Sequence, residues 1–275
     1  MPSMVIGRRQ GDRVRGLLRK VALGIGVLLL TLVLSYTAFR RWTLITPPAD
    51  EPAALPRAVK VELLEGVPRL RVHKSWMERR DGIWRLNLEG DPWTMGYAHG
   101  LLSSRVTADI DRHMTGMMAK YVTTPFRRWL VSNVVRWQFR QIPDHIPPRL
   151  LVELAAASRT MVDSEEFPER PFQRLIYYHA LHDMTQRLDG SPLIGCTAFA
   201  VWGKAAVDKH MIIGRNFDFE GGAIFDEQKA VITFRSTGRI PFVSVAWPGM
   251  AGVVTGVNAK RIYVSINAAR SDASL

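Results

Sequence analysis

The only cysteine of the chain lies in Gly195-Cys196-Thr197-Ala198-Phe199-Ala200-Val201-Trp202, a segment continued by His210-Met211-Ile212-Ile213-Gly214-Arg215-Asn216-Phe217-Asp218-Phe219. Two apolar runs separated by a polar stretch predict a β-hairpin, with Cys196 at the start of its first strand. In an antiparallel pair, the end of the second strand lies beside the start of the first. We therefore expect the Cys196 thiol, the Arg215 guanidinium and the Asp218 carboxylate to meet at one end of the hairpin.

This combination of side chains supports two interpretations. Cysteine is nucleophilic as a thiolate, and nearby positive charge favours that form. Arg215 can supply the charge while Asp218 orients a proton donor. Alternatively, Cys196 is a buried residue that behaves as a small apolar side chain, and Arg215 and Asp218 form an ordinary ion pair at a strand end. These residues alone leave both interpretations open.

Two further motifs flank the hairpin. Residues 89–100 contain glycines at positions 90, 96 and 100, and residues 249–258 with 264–267 form a strand pair that ends in Asn267. Together with Gly-Cys-Thr and Gly-Arg-Asn-x-Asp, these motifs resemble N-terminal-nucleophile hydrolases of the isopenicillin N acyltransferase type. Choloylglycine hydrolases and penicillin V acylases are more distant relatives of that type. Each motif alone is weak, whereas three in the same order are moderately specific.

The resemblance implies an α+β fold in which a helical pro-region precedes an αββα sandwich of antiparallel sheets. The family's catalytic domain continues beyond the position that matches Asn267, so we expect 196–275 to be an incomplete, truncated sheet domain. Strand patterns dominate after Ile194, which predicts a sheet that begins at Cys196. Helical patterns predominate before it, although 59–64 and 83–88 are predicted strands.

The family's chemistry is self-cleavage between Gly195 and Cys196, after which the freed α-amine of Cys196 acts as base for its own thiol. Such amines titrate near a pKa of about 7.7–8.0. The resemblance implies Cys196 as nucleophile, Arg215 and Asp218 as the polar pair near the thiol, and Asn267 as the oxyanion donor. The substrate is an acyl amide with a non-peptide C–N bond, or an acyl thioester such as acyl-coenzyme A. No cofactor or metal is implied, and the two chains produced by cleavage would stay associated.

Residues 21–39 carry no charge and are almost wholly apolar, a length that just suffices for a membrane-spanning helix. More basic residues precede this segment than follow it, so we expect a single-pass anchor with the bulk of the chain outside the cytoplasm. A cleaved signal peptide and a buried core helix are the alternatives. The predicted parts are a basic cytoplasmic tail (1–20), the anchor (21–39), a linker (40–58), a mainly helical pro-region (59–195) and the sheet domain (196–275).

The net charge of +12 does not indicate nucleic-acid binding. Residues 1–41 contain eight basic residues and one acid, so more than half of the excess belongs to the anchor region. Outside it, the nearest approach to a basic aromatic patch is Arg127-Arg128-Trp129 with Arg136-Trp137. On a helix, this pattern predicts either a polar face over an apolar one or a surface that contacts lipid headgroups.

One helix is predicted to begin at Thr94, which is its cap. Three more are predicted over 125–139, 149–161 and 171–187. His99 and His113 have no second ligand at helical metal spacing and are interpreted as structural. His179 and His182, with Asp183 adjacent, could form half of a metal site, but we interpret them as ordinary core or surface residues because no matching ligands are evident.

The competing function is a membrane-tethered binding or scaffold protein in which the sheet remains but the chemistry does not. Loss of activity on Cys196→Ala would favour the enzyme, whereas ligand binding unaffected by that change would favour the scaffold.

Overall fold

The computed structural model describes residues 3–48, 58–164, 167, 169–186 and 194–267. The middle of the predicted linker and residues 268–275 of the predicted sheet domain lie outside the described residues. The chain is a mixed α and β protein, and it divides into two compact units, Met1–Leu44 and Ile45–Leu275.

The first unit is one long helix, α1 (Ser3–Trp42). Its stretch Arg15–Trp42 is long and apolar enough to cross a membrane and is not buried within the protein. The hydroxyls of Thr31 and Thr37 donate to the backbone carbonyls four residues earlier, which satisfies these polar groups inside an otherwise apolar helix. The helix contains the whole predicted anchor and continues three residues into the predicted linker.

The second unit is organised around an eight-stranded sheet with strand order β1-β2-β3-β4-β7-β8-β9-β10. All neighbouring strands in it are antiparallel except β4 and β7, which are parallel. Its strands are β1 (Lys60–Leu64), β2 (Val67–Val72), β3 (Ser75–Arg80), β4 (Ile83–Gly90), β7 (Ala230–Ser236), β8 (Phe242–Ala246), β9 (Thr255–Asn258) and β10 (Tyr263–Ser265).

The prediction that the sheet begins at Cys196 is wrong. The sheet combines four strands that precede Cys196 with four that follow it, joined where Trp84–Gly90 of β4 pair with Ala230–Ser236 of β7. Strands β2 and β3 were not predicted because charged residues interrupt their apolar pattern. Those charges pair across the strands, as in the bond from Arg69 Nε to Glu78 Oε2 at 2.8 Å.

The described part of the second unit has four long helices that begin at prolines, as the sequence predicts at 125 and 171, and one short helix. They are α2 (Pro92–Tyr121), α3 (Pro125–Gln138), α4 (Pro148–Ser158), α5 (Pro171–Gln186) and the short α6 (Ile224–Glu227). The predicted cap at Thr94 is wrong. Asp91 caps α2, because its carboxylate accepts hydrogen bonds from the backbone N–H groups of Trp93 and Thr94, and Pro92 occupies the first turn.

Helix α2 lies between the sheet and α4. Its buried Met95, Ala98, Leu102 and Val106 join the sheet's apolar side chains in one core cluster. A second cluster packs α4 against α5. Two glycines of α2 meet the backbone of α4, because a Cβ atom on Gly96 would lie 2.0 Å from the Glu153 carbonyl oxygen.

The substitution Gly96→Ala is expected to destabilise the second unit by about 3 kcal/mol, because the new methyl group must separate two backbones. Gly116→Ala is the matched control in the same helix, since a Cβ atom there would have no neighbour within 4 Å. That change should stabilise by about 0.5–1 kcal/mol through helix propensity. Urea unfolding of both variants in detergent measures the difference, and equal effects would contradict the close approach of α2 and α4.

Candidate active site

The segment around Cys196 forms a two-stranded hairpin of β5 (Ile194–Val201) and β6 (Ile212–Phe219), separate from the large sheet. The hairpin prediction is confirmed, although both strands are longer than the predicted ones. Strand β5 begins two residues before Cys196, so the bond between Gly195 and Cys196 lies within a strand.

The register of the hairpin determines which predicted site residues share a face. Cys196 pairs with Phe217, and Ala198 pairs with Arg215, so the Cys196 and Arg215 side chains lie on one face. Gly195 pairs with Asp218, and both belong to the opposite face. The three predicted groups therefore lie at one end of the hairpin, but the carboxylate lies on the other side from the thiol.

The thiol of Cys196 has two polar neighbours. The Arg215 Nη2 atom lies 3.7 Å from the sulfur, and the thiol donates to the Ile266 carbonyl oxygen at 3.6 Å. Arg215 Nη2 also donates to that carbonyl oxygen, which follows the end of β10. The guanidinium, the sulfur and the carbonyl therefore form a closed triangle that joins the hairpin to the end of the large sheet.

Arg215 has no carboxylate within ion-pair distance among the described residues, so its positive charge is not neutralised by them. Its Nε atom is buried and has no hydrogen-bond partner. The guanidinium carbon lies 4.5 Å from the centre of the Phe217 ring, in cation–π contact. A half-buried, uncompensated positive charge beside a thiol can stabilise a thiolate or another anion there.

Asp218 contacts the residue that precedes the cysteine. A Cβ atom built on Gly195 would lie 3.2 Å from Asp218 Oδ2, so a glycine leaves room for the carboxylate at this position. The side chain of Asp218 is exposed and accepts a hydrogen bond from Asn216 Nδ2. Asn216, to which the sequence assigned no role, therefore orients Asp218.

The side chain of Asn267 is exposed and donates from Nδ2 to Ser265 Oγ at 3.2 Å. The group that reaches the thiol from this segment is the backbone carbonyl of Ile266, the residue before it. The predicted strand pair β9–β10 is present. Its end approaches Cys196, but the amide of Asn267 is engaged locally rather than with the sulfur.

An apolar cavity of about 120 Å³ lies near this site, although neither Cys196 nor Arg215 lines it. Phe217, the cross-strand partner of Cys196, lines it, and side chains of directly opposed residues have Cβ atoms about 4.5–5.5 Å apart. Aromatic rings dominate one wall, with Phe225 and Trp247 packed edge to face at 5.3 Å. The sequence analysis missed this cavity. The signal was present, because Arg215, Phe217 and Phe219 are two residues apart in β6 and therefore lie on the same face.

One buried histidine, His99, and one partly buried histidine, His179, hold the loop that carries Trp247. The backbone N–H of Gly249 donates to His99 Nε2 at 2.7 Å, and that of Ala251 donates to His179 Nε2 at 2.9 Å. Burial, with a smaller contribution from His179, lowers the pKa of His99 to about 3. Burial also lowers the pKa of His179. The Nε2 atom of each ring accepts a backbone N–H, which for His99 is the structural role that the sequence analysis assigned.

We expect His99 to make stability depend on pH. An unfolded histidine binds a proton near a pKa of about 6.5, whereas folded His99 binds one only near 3. The contribution of His99 to the free energy of unfolding is therefore complete above pH ~6.5. As the pH falls below that value, the contribution is lost by up to about 1.4 kcal/mol per pH unit. The variant His99→Gln should lose less stability than wild type between pH 6.5 and 4 in urea unfolding.

The comparison with wild type separates the pH dependence due to His99 from that due to Glu153, because both proteins contain Glu153. Burial raises the pKa of Glu153 to about 7, so this carboxyl acts in the opposite direction and destabilises the fold as the pH rises. Parallel pH dependence of the wild type and His99→Gln would contradict the assigned role.

Among the side chains described, no group of three or more His, Cys, Asp or Glu residues could hold a metal ion. The side chains of His182 and Asp183 lie outside the described residues. A comparison with known protein families found none that matches the chain, and a comparison with curated proteins found no match either.

Proposed function

We propose that the chain is a self-cleaving cysteine N-terminal-nucleophile hydrolase or acyltransferase that acts on non-peptide amide bonds. The observation that carries the proposal is the contact between the Cys196 sulfur and the uncompensated guanidinium of Arg215, at 3.7 Å. The three sequence motifs that resemble the isopenicillin N acyltransferase family support it. Residues 196–267 would then be part of the family's αββα sandwich.

In the self-cleavage step, the Cys196 thiol attacks the Gly195 carbonyl carbon. The new C–S bond replaces the C–N bond to Cys196, and the nitrogen takes up a proton to become a free amine. Water then hydrolyses the thioester, which leaves a carboxylate on Gly195 and a free thiol on Cys196. Asp218 lies against Gly195 on the face opposite the thiol, so it can position the scissile bond but does not contact the thiol proton.

After cleavage, the α-amine of Cys196 takes the proton of the thiol, and the thiolate attacks the acyl carbonyl of the substrate. The amine or thiol of the substrate leaves, and water or an acceptor amine resolves the acyl-enzyme. Arg215 stabilises the negative charge that develops on the sulfur and on the carbonyl oxygen. Asn267 remains the proposed oxyanion donor, which requires its amide to turn from Ser265 once the substrate binds.

The cavity beside Phe217 supports an apolar acyl group in the substrate. Its walls are mainly apolar side chains of β6, α2, α5, α6 and the loop after β8, with Asp111 and His179 among the lining residues. An acyl chain that enters it would leave its carbonyl carbon near Cys196, since Phe217 and Cys196 are directly opposed.

We further propose that α1 anchors the chain in a membrane, with the second unit outside the cytoplasm. The basic residues before the apolar stretch support this orientation. A membrane-tethered binding or scaffold protein is the second candidate. It is favoured by the position of Asp218 on the face away from the thiol and by the engagement of Asn267 with Ser265.

Acyl amides and acyl thioesters of graded acyl length, offered to the wild type and to Cys196→Ala in detergent, test the two candidates. The enzyme predicts release of the amine or thiol, an acyl adduct on Cys196 in the mass spectrum, and neither in the variant. Addition of an amine acceptor separates transfer from hydrolysis. Binding of the same compounds without turnover, equal in both proteins, would favour the scaffold, and turnover of polar acyl groups alone would exclude an apolar acyl pocket.

A further inference from the structure

Helix α3 has the reverse of the usual burial pattern. Its buried residues are all polar, namely Ser132, Asn133 and Arg136. Five of its large apolar side chains are exposed by 44–68%, namely Phe126, Trp129, Leu130, Val134 and Trp137, whereas Val131 and Val135 are partly buried. A surface helix of a soluble protein normally directs its apolar stripe to the core. A contiguous exposed stripe of this kind indicates an interaction surface.

Buried polar contacts hold α3 in this orientation. Ser132 Oγ donates to Glu169 Oε1 at 2.6 Å, and Arg136 Nη1 lies 3.6 Å from the same oxygen. Arg136 Nη1 also lies 3.4 Å from Gln173 Oε1 on α5. Rotation of the helix to bury its aromatic face would expose this cluster and leave the Glu169 carboxylate without these partners. The outward direction of the apolar face is therefore a stable feature of the fold.

The surroundings of the face are positively charged. Between Asp111 and Asp144 the chain contains six basic residues and no acid. Arg136 is buried against Glu169 and Arg112 pairs with Asp109, which leaves four basic residues near the face. Arg127 is exposed beside Phe126, and Arg140 follows the end of the helix. Tryptophan, phenylalanine and leucine flanked by arginine are the composition of helices that lie in the headgroup region of a membrane.

The connection to α1 supports a lipid surface as the occupant. The Ile45 backbone N–H donates to Gln173 Oε1 at 3.5 Å, the same atom that contacts Arg136 of α3. Ile45 is only three residues beyond Trp42, the last residue of α1, and three residues of extended chain span at most about 11 Å. If α1 crosses a membrane, its exit therefore lies within this short reach of Ile45.

We propose that the apolar face of α3 lies in the headgroup region of the membrane, with Arg127 directed to anionic lipids. This inference does not depend on the chemistry of Cys196. It implies that the second unit contacts the lipid headgroups through α3.

Fluorescence of a label on α3 tests the proposal in the chain with α1 present. In a Cys196→Ala background, an environment-sensitive fluorophore is attached to Leu130→Cys, to Val134→Cys or to the control Val245→Cys. The control is matched because Leu130 and Val245 are exposed by 47% and 48%, and Val245 lies on β8. The protein is placed at one copy per nanodisc, with phosphatidylcholine alone or with phosphatidylserine added.

We expect blue-shifted emission at positions 130 and 134, quenched by nitroxide-labelled lipids, and neither effect at 245. Arg127→Glu should reduce the quenching in discs that contain phosphatidylserine. Water-like emission without quenching at both α3 positions would overturn the proposal. A blue shift that appears only with several copies per disc, and without lipid quenching, would assign the face to a second copy of the chain and would also overturn it.

Discussion

Arg215→Gln is expected to slow self-cleavage and acyl turnover by about 10²- to 10³-fold, the usual effect of removing one preorganised group that stabilises developing negative charge. Glutamine keeps the hydrogen-bonding capacity toward the Ile266 carbonyl but removes the positive charge beside the sulfur. Because no described carboxylate neutralises this charge, it can act on the thiol and on the substrate. The rate of appearance of the cleaved chain, followed by mass spectrometry, measures the change.

Arg239→Gln is the control for this experiment, since Arg239 is an exposed arginine in the turn after β7. It should cleave and turn over substrate at the wild-type rate. Equal rates for Arg215→Gln and Arg239→Gln would contradict the electrostatic role of Arg215 and would leave its contact with the sulfur a packing feature.

Arg174→Met is expected to destabilise the second unit by about 3–5 kcal/mol, because it leaves a buried carboxylate without its partner. Arg174 is fully buried and binds Asp111 with two nitrogens, at 2.8 and 3.1 Å. The same guanidinium donates to the carbonyls of Val162 and Glu169, so one side chain joins α2, α5 and the segment before α5. Unfolding in urea, in detergent and at neutral pH, measures the loss.

The matched control is Arg112→Met, one residue from Asp111. Arg112 pairs with Asp109 at 3.0 Å, but its side chain is 76% exposed, so its loss should cost less than about 1 kcal/mol. A loss of similar size in both variants would contradict the assignment of Arg174 as the central buried ion pair.

The helices and the hairpin were predictable because local signals specify them. All four long helices described in the second unit start at a proline, and for three of them the predicted start lies within one residue of it. Two apolar runs identify β5 and β6. The sheet order was not predictable, because the parallel pairing of β4 with β7 joins residues about 146 positions apart, such as Trp84 and Ala230. No local pattern encodes a contact over that distance.

The candidate site was predictable in part. The register that brings Arg215 to the face of Cys196 follows from strand alternation, which also assigns Asp218 to the other face once the exact pairing is known. A shift of one residue would exchange the two faces, and the turn residues do not fix it. The outward direction of the apolar face of α3 depends on contacts with Glu169 and Gln173. These two residues belong to a later segment, so the sequence of the helix alone does not show this orientation.

The central claim is that Cys196 cleaves the chain at its own amide nitrogen. Intact mass and N-terminal sequencing of the 275-residue chain, beside Cys196→Ala, test it most directly. We predict two associated fragments, one of which begins at Cys196, and a single uncut chain for the variant. A wild-type chain that stays whole under the same conditions, with no sequence beginning at Cys196, would contradict the claim and would favour the binding or scaffold protein.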